Sequence, residues 1–254
     1  MYKLKIIISK SIILPLTLWL VGCNSNTTEH RSDKQNPLHD TIKPVITGKK
    51  HNLSSRCDSI IISQDCNFTN LSNTYSYKVH YQKIACDSND IGGNIDIKIS
   101  ILKKSNGRII ENIILHPHYL YPGVYENCLR ARSYITGVNM DTLAIDNDYG
   151  ELVVADLNFD GKEDLAFIDN SGGNSGPTYC FYLQTENHGF EPDHFLTEHM
   201  EFFPTKINKA THQLITYGHS SANSSCKHIY QYFSATRSWK EVSRKIVDAN
   251  HPDE

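Results

Sequence analysis

The sequence has no series of long hydrophobic runs, no excess of basic residues and little glycine or proline. Apolar residues make up 39% of the 254, which excludes a membrane protein with several apolar spans of about 20 residues each. The 25 Lys and Arg against 28 Asp and Glu argue against a general nucleic-acid binder, which is usually strongly basic. Fourteen Gly and nine Pro are too few for a collagen-like chain.

Common catalytic motifs are also missing. The sequence contains no HExxH, GxSxG or CxxC motif, which are the patterns of zinc proteases, serine hydrolases and many zinc or redox sites. Its 13 histidines have no clear metal-ligand spacing, and we interpret them as surface residues. We therefore expect a binding protein rather than an enzyme.

The N-terminal segment, residues 1–22, is typical of a signal peptide. Three lysines form a basic start, and residues 12–21 are apolar but too few to span a membrane comfortably. Leu-Val-Gly then precedes Cys23, which resembles the lipobox of bacterial lipoproteins. We expect Cys23 to be acylated and, because Asn24 rather than Asp follows it, to anchor the chain in the outer membrane, facing the periplasm. An ordinary signal peptide with a chance cysteine, or a core strand, is the alternative.

A polar tether and one β-rich domain are expected after the signal peptide. Residues 23–55 comprise the lipidated cysteine and a segment without apolar periodicity, which as a coil has a root-mean-square span on the order of 30 Å. Residues 56–254 form the predicted domain. Removing the three signal-peptide lysines from the 25 basic residues leaves 22 against 28 acidic ones, a net charge of −6. Such a charge favours encounter with a cationic partner.

Strand patterns dominate the domain. Isoleucines alternate with polar residues over 94–101, and a turn at 105–108 predicts a return strand over 109–115. A short helix or a strand is possible over 125–136. The fold class is all-β, an antiparallel β-sandwich or barrel, because many strands occur without alternating helices. The other predicted strands are 75–81, 151–155, 165–168, 179–184, 213–217, 228–233 and 239–247.

Six cysteines remain after lipidation of Cys23, and an oxidising periplasm allows up to three disulfides. Spacing alone leaves 15 pairings open. We favour Cys180–Cys226, because both lie in or beside strands of the last third, and Cys57–Cys66 as a local bridge. The disulfide candidates are Cys57, Cys66, Cys86, Cys128, Cys180 and Cys226.

A calcium loop is the sharpest chemical motif. Residues 156–164 read DLNFDGKED, which places oxygen ligands at alternate positions and a glycine where a sharp turn is needed. The glutamate that ends an EF-hand loop is missing, and predicted strands flank the motif, so it is similar to strand–loop–strand sites of the FG-GAP and dockerin type. An Asx-rich hairpin without an ion is the alternative. The predicted Ca²⁺ ligands are Asp156, Asn158, Asp160, Lys162 through its carbonyl, and Asp164.

A Gly/Asn/Ser-rich stretch follows the calcium loop, and residues 170–183 read NSGGNSGPTYCFYL. The order of lipobox, tether, β domain, calcium loop and this stretch resembles a family of calcium-binding periplasmic lipoproteins that are related in fold to the periplasmic lysozyme inhibitors. The resemblance is most specific over about residues 150–247. Members of that family serve as immunity proteins against peptidoglycan-cleaving effectors of a bacteria-killing type IV secretion system.

The resemblance implies that a loop with a Ser-Gly…Tyr pattern enters the active site of a lysozyme-like enzyme. Here the Ser-Gly-Pro-Thr-Tyr spacing is one residue longer than the shortest form of that pattern. The alternative is a hairpin connection whose tyrosine merely begins a strand. The implied interface residues are Asn174, Ser175, Gly176, Thr178 and Tyr179.

Two functions from different classes follow. The first is a lipid-anchored periplasmic immunity protein that inhibits a peptidoglycan hydrolase. The second is a calcium-stabilised, FG-GAP-like adhesion or scaffold module of the cell envelope, which would be expected to carry several calcium loops, whereas the sequence has one.

Overall fold

A computed structural model of the protein describes residues 59–86, 93–173, 176–187 and 189–251. The predicted signal peptide, tether and lipidation site at Cys23 lie outside these residues, as do Cys57, Asn174 and Ser175. Among the described residues, no helix has the length and apolar content needed to cross a membrane.

Thirteen strands and one short helix form the described fold. Their order is β1 (Ile60–Phe68), β2 (Tyr75–Ala85), β3 (Asn94–Lys103), β4 (Ile109–Leu115), β5 (Arg132–Ser133), β6 (Leu152–Ala155), β7 (Asp164–Asn170), β8 (Thr178–Gln184), β9 (Phe190–Pro192), α1 (His194–His199), β10 (Lys206–Asn208), β11 (Gln213–Ser221), β12 (Ser224–Phe233) and β13 (Ser238–Asp248).

The first sheet is an antiparallel meander in the order β1-β2-β3-β4. The four alternating isoleucines of β3 face the core, and each is at most 3% exposed. Because side chains alternate across a strand, the polar residues between them face outward. The pattern and the turn that predicted this hairpin are therefore confirmed.

The second sheet has the order β5-β6-β7-β8-β9 and is antiparallel except for the parallel pair β5–β6. All four residues of β6 and the first five of β7 are buried. A strand that is buried along its whole length has protein on both of its faces. The middle of this sheet is thus the most enclosed part of the fold, and it leads directly into the predicted calcium loop.

The third sheet, β10-β11-β12-β13, is also antiparallel. Residues from all three sheets contribute to one hydrophobic core. Asp193 caps α1 by accepting a hydrogen bond from the Leu196 amide at 2.8 Å. The predicted all-β, largely antiparallel fold is confirmed.

The possible helix over 125–136 is wrong. Tyr125 and Cys128 have φ values of 62° and 58°, which a right-handed helix cannot contain. Turns and the two-residue β5 take its place. The Tyr125 side chain is buried, and its hydroxyl lies 2.9 Å from the carbonyl oxygens of Glu151 and Ile168, which ties these turns to the second sheet.

Both favoured disulfides are also wrong. Cys66 of β1 is bonded to Cys128, 62 residues later in the sequence, so it cannot pair with Cys57. Cys180 and Cys226 lie in different sheets, and no disulfide joins them in the described part of the chain. Cys86 is also disulfide-bonded.

Candidate functional site

The predicted calcium loop connects β6 to β7. These strands are antiparallel, with Ala155 opposite Asp164, so the loop closes a hairpin as the strand–loop–strand interpretation expects. Phe159 and Gly161 adopt φ values of 62° and 82°, and the glycine takes this conformation without a Cβ penalty.

Short-range hydrogen bonds shape the loop. Asp156 Oδ2 accepts from the Gly161 amide at 3.3 Å, Asn158 Oδ1 from Asp160 at 3.1 Å, and Asp160 Oδ1 from Lys162 at 2.9 Å. These contacts turn the loop around its own acidic side chains. Asp156 Oδ1 is buried and has no hydrogen-bond partner among the described residues, and an orphaned carboxylate oxygen of this kind fits a cation.

Asp164 has a different position from the other candidate ligands. Its Oδ2 accepts from the amides of Leu157 and Asn158 at 2.8 and 3.3 Å, and its Oδ1 from Gln184 at 2.9 Å. Burial raises the pKa of Asp164 to about 7, against the effect of these hydrogen bonds. Through its hydrogen bonds to Leu157, Asn158 and Gln184, the Asp164 side chain holds the loop to β8.

The loop has less charge available for a metal ion than its sequence indicates. The Lys162 ammonium lies 2.9 Å from Asp160 Oδ2 and partly neutralises it. Within the described ranges, no three or more His, Cys, Asp or Glu side chains are grouped as metal ligands. Asp156, Asn158, Asp160 and the Lys162 carbonyl are the oxygens that fit Ca²⁺ best.

The Gly-rich stretch is tightly packed at two glycines. A Cβ on Gly172 would lie 1.9 Å from the Gly176 carbonyl oxygen, and a Cβ on Gly176 would lie 2.0 Å from the Asp146 carbonyl oxygen. Both have positive φ, 65° and 94°, so no other residue fits either position well. Gly176 is buried and Thr178 is exposed. The stretch is therefore packed closely against the turn at Asp146.

The predicted interface requires Tyr179 at the surface, but the structure places it in the core. It is 1% exposed, and its ring packs against Phe203 with centroids 5.8 Å apart. Its hydroxyl accepts from the Tyr149 amide at 3.0 Å and donates to the Gly150 carbonyl at 3.2 Å. The alternative, in which Tyr179 begins a strand, matches its place in β8. Tyr179 thus fixes the backbone of a neighbouring surface segment.

The surface segment that precedes Tyr149 in the chain, residues 129–145, was not predicted from the sequence as a site. Leu129 is 74% exposed, Met140 38%, Leu143 82% and Ile145 67%. We call these four side chains the apolar loop surface. The available signal for this surface was a set of apolar residues that follow neither a helical nor a strand period and lie between two glycine-containing turns.

A turn over residues 145–148 joins this surface to the Gly-rich stretch. The Asp148 amide donates to the Ile145 carbonyl at 2.9 Å, and Asp146 and Asn147 both have positive φ. The Asn147 side chain donates to the Tyr217 carbonyl of β11 at 3.3 Å. The turn therefore has contacts with both the second and the third sheets.

Charged groups lie beneath the apolar loop surface. The Arg130 guanidinium forms an ion pair with Asp148, and the Arg130 amide donates to Glu151 Oε1 at 3.2 Å. Glu151 Oε2 is buried, and no described residue forms a hydrogen bond with it. Burial raises the pKa of Glu151 to about 6, because the ionised carboxylate loses its hydration. Arg132, 6% exposed, lies nearby on β5.

Comparison with known proteins gives little. No family model and no curated protein matches the sequence. A solved structure described as "a Xanthomonas Type IV Secretion System related protein" is similar to this chain, with 16% sequence identity, a TM-score of 0.48, and coverage of 77% of this chain and 91% of that one. A likeness of this strength carries no argument about function.

Proposed function

We propose that this chain is an outer-membrane lipoprotein of the periplasmic face that binds and inhibits a peptidoglycan-degrading, lysozyme-like enzyme. In this proposal it acts as an immunity protein against a type IV secretion effector and has no catalytic activity of its own. The lipobox at Cys23 and the tether of residues 24–55 support the location. The family resemblance of the sequence supports the class of partner.

The apolar loop surface is the observation on which a binding role rests. Single exposed apolar side chains are ordinary on a protein surface, but four on one segment of 17 residues, 129–145, favour a contact with another protein. Leucine, isoleucine and methionine side chains lose unfavourable hydration when a partner covers them. The proposed interface therefore lies on this surface and also includes Thr178, which is exposed.

The backbone below this surface is already held in place. The Tyr179 hydroxyl binds the backbone at Tyr149 and Gly150, and Gly176 packs against Asp146. A segment ordered before binding loses less conformational entropy in the complex. Tyr179 therefore contributes to the proposed interface as a positioning residue and does not contact the partner.

We also propose that the loop between β6 and β7 binds Ca²⁺ through Asp156, Asn158, Asp160 and the Lys162 carbonyl. Asp164 would support the site by holding the loop backbone at Leu157 and Asn158. A cation that binds only the folded chain stabilises it by mass action. Its role is structural, because the loop is part of the hairpin that leads through β7 to the Gly-rich stretch.

Binding of the full chain, purified in detergent, to candidate peptidoglycan-hydrolase effectors tests the interface. The double variant Leu143→Ser/Ile145→Ser should lower the affinity by about tenfold or more, because two exposed apolar contacts are lost. Ile109→Ser/Ile114→Ser is the matched control, since these residues are exposed on β4 of the first sheet. Equal affinities for the two double variants would place the interface elsewhere.

A further inference from the structure

Arg132 is a buried cation without a carboxylate partner. It is 6% exposed, and no ion pair that includes it occurs in the described part of the chain. Its Nη2 donates to the Thr142 carbonyl at 2.5 Å, its guanidinium also hydrogen-bonds the Tyr134 side chain, and it lies 5.2 Å from the centroid of the Tyr149 ring. These contacts use part of its five-donor fork and supply no negative charge, whereas buried arginines are usually paired.

A small cavity lies beside this arginine. Its volume is about 90 Å³, and its lining includes Arg132, Arg130, Asp148, Leu129 and Leu143. This exceeds the roughly 10–15 Å³ that a cavity needs to hold one water, so the cavity has room for a carboxylate. Two of the lining side chains are cationic and one is anionic, and the anion is already paired with Arg130. Among the lining side chains, the charge on Arg132 is therefore the one without an anionic partner; Glu151, whose Oε1 accepts from the Arg130 amide, is not a lining residue.

We propose that this cavity receives the carboxylate of an aspartate or glutamate of the protein partner. The planar guanidinium fork matches a carboxylate with two parallel hydrogen bonds. Leu129 and Leu143 line the same cavity and are 74% and 82% exposed, so an acidic side chain would enter between apolar contacts. A bound protein would also exclude water, which strengthens the ion pair.

This inference rests on the proposed function, since it names what the apolar loop surface recognises on the partner. Apolar side chains around a single cation favour a protein over a nucleic acid, which would require several cations along its phosphates. The cavity also links to Tyr179. That residue fixes the Tyr149 backbone, and the Tyr149 ring is stacked against the Arg132 guanidinium.

Replacement of the buried cation is the first test. Arg132→Gln keeps a side-chain donor near Thr142 and removes the charge, and it should weaken binding of the partner enzyme by about thirtyfold or more. Arg108→Gln is the control, because Arg108 is exposed in the turn between β3 and β4, far along the chain from the cavity residues. Equal affinities of the two variants would overturn the proposal.

Two variants of opposite charge at an exposed position provide a second test, which remains valid if Arg132→Gln fails to fold. Leu143 is 82% exposed, so neither Leu143→Glu nor Leu143→Lys should affect folding. Both remove the same apolar contact, but a glutamate at this position competes for Arg132 and repels the partner's carboxylate. The Glu variant should bind the partner at least about tenfold more weakly than the Lys variant. Equal affinity, or weaker binding of the Lys variant, would contradict the inference.

A small-molecule titration tests the cavity without an enzyme. N-acetylglutamate α-methylamide, whose one carboxylate is on the side chain, should give a saturable shift of the Arg132 Nε–H resonance in nuclear magnetic resonance spectra of the full chain in detergent. N-acetylglutamine α-methylamide should bind at least about tenfold more weakly, because it has no carboxylate. A shift without enzyme inhibition would support the cavity and reject the proposed function. Inhibition without a shift, and without an effect of Arg132→Gln, would do the reverse.

Discussion

Removal of one buried hydroxyl separates the two roles considered for Tyr179. In the structure the hydroxyl accepts from the Tyr149 amide at 3.0 Å and donates to the Gly150 carbonyl at 3.2 Å. Tyr179→Phe keeps the ring and its packing on Phe203 and leaves both backbone groups without that partner. An unsatisfied buried group costs about 1–3 kcal/mol, so we expect a loss of about 2–4 kcal/mol in the free energy of unfolding.

Urea titration and thermal unfolding of the full chain measure this loss. For a domain of this size, each kcal/mol lowers the melting temperature by about 2–4 °C, so the midpoint should fall by about 4–16 °C. Tyr182→Phe is the matched control. Tyr182 lies on the same strand, and its hydroxyl has no hydrogen bond in the described part of the chain. A Tyr179→Phe variant as stable as Tyr182→Phe would refute the anchoring role.

Three further predictions concern stability. With Ca²⁺ at about 100 times its dissociation constant, the melting temperature should exceed that in EDTA by about 5–10 °C, and Asp156→Asn but not the exposed Asp141→Asn should reduce this difference; identical midpoints would remove the site. Because the folded pKa of Glu151 is raised to about 6, the folded state holds the proton more tightly than the unfolded state, and wild type should lose about 2 kcal/mol of stability relative to Glu151→Gln as the pH rises from about 4.5 to 6.5; a constant difference across this range would contradict its burial. Replacement of Cys66 and Cys128 by serine should cost about 4 kcal/mol, since their bond closes a loop across 62 residues; unchanged urea midpoints would argue against this pairing.

Local patterns were sufficient for most strands. The predicted strand over 109–115 has the same bounds as β4, and the alternation over 94–101 identified the buried face of β3. These succeed because a strand with one buried face records that face every second residue. β1 was missed because its nine residues, IIISQDCNF, begin with consecutive isoleucines and are mostly exposed.

Features that depend on distant residues could not be predicted. The Cys66–Cys128 bond requires the turns that hold Tyr125 against the second sheet, and these turns have no local sequence period. A tyrosine is favourable both at a protein interface and in a core. Tyr179 lies in the core because Phe203 and the backbone at Tyr149 and Gly150 pack against it. The environment of Arg132 depends on Thr142 and Tyr149, which a reading of residue spacing does not bring together.

The predicted calcium loop lies between these cases. Its hairpin position and its glycine turn follow from the spacing of the motif. The ion pair between Lys162 and Asp160 and the hydrogen bonds around Asp164 do not, because they depend on side-chain orientation and on β8. The spacing therefore identified the loop but not the separate position of its last carboxylate.

The most direct test of the central claim is the rate at which a type IV peptidoglycan-hydrolase effector lyses purified cell walls as this protein is added. We expect lysis to stop near one protein per enzyme, because one partner occupies one apolar loop surface. Undiminished lysis at a large molar excess of the folded protein, across the effectors encoded beside it, would refute the proposed inhibition.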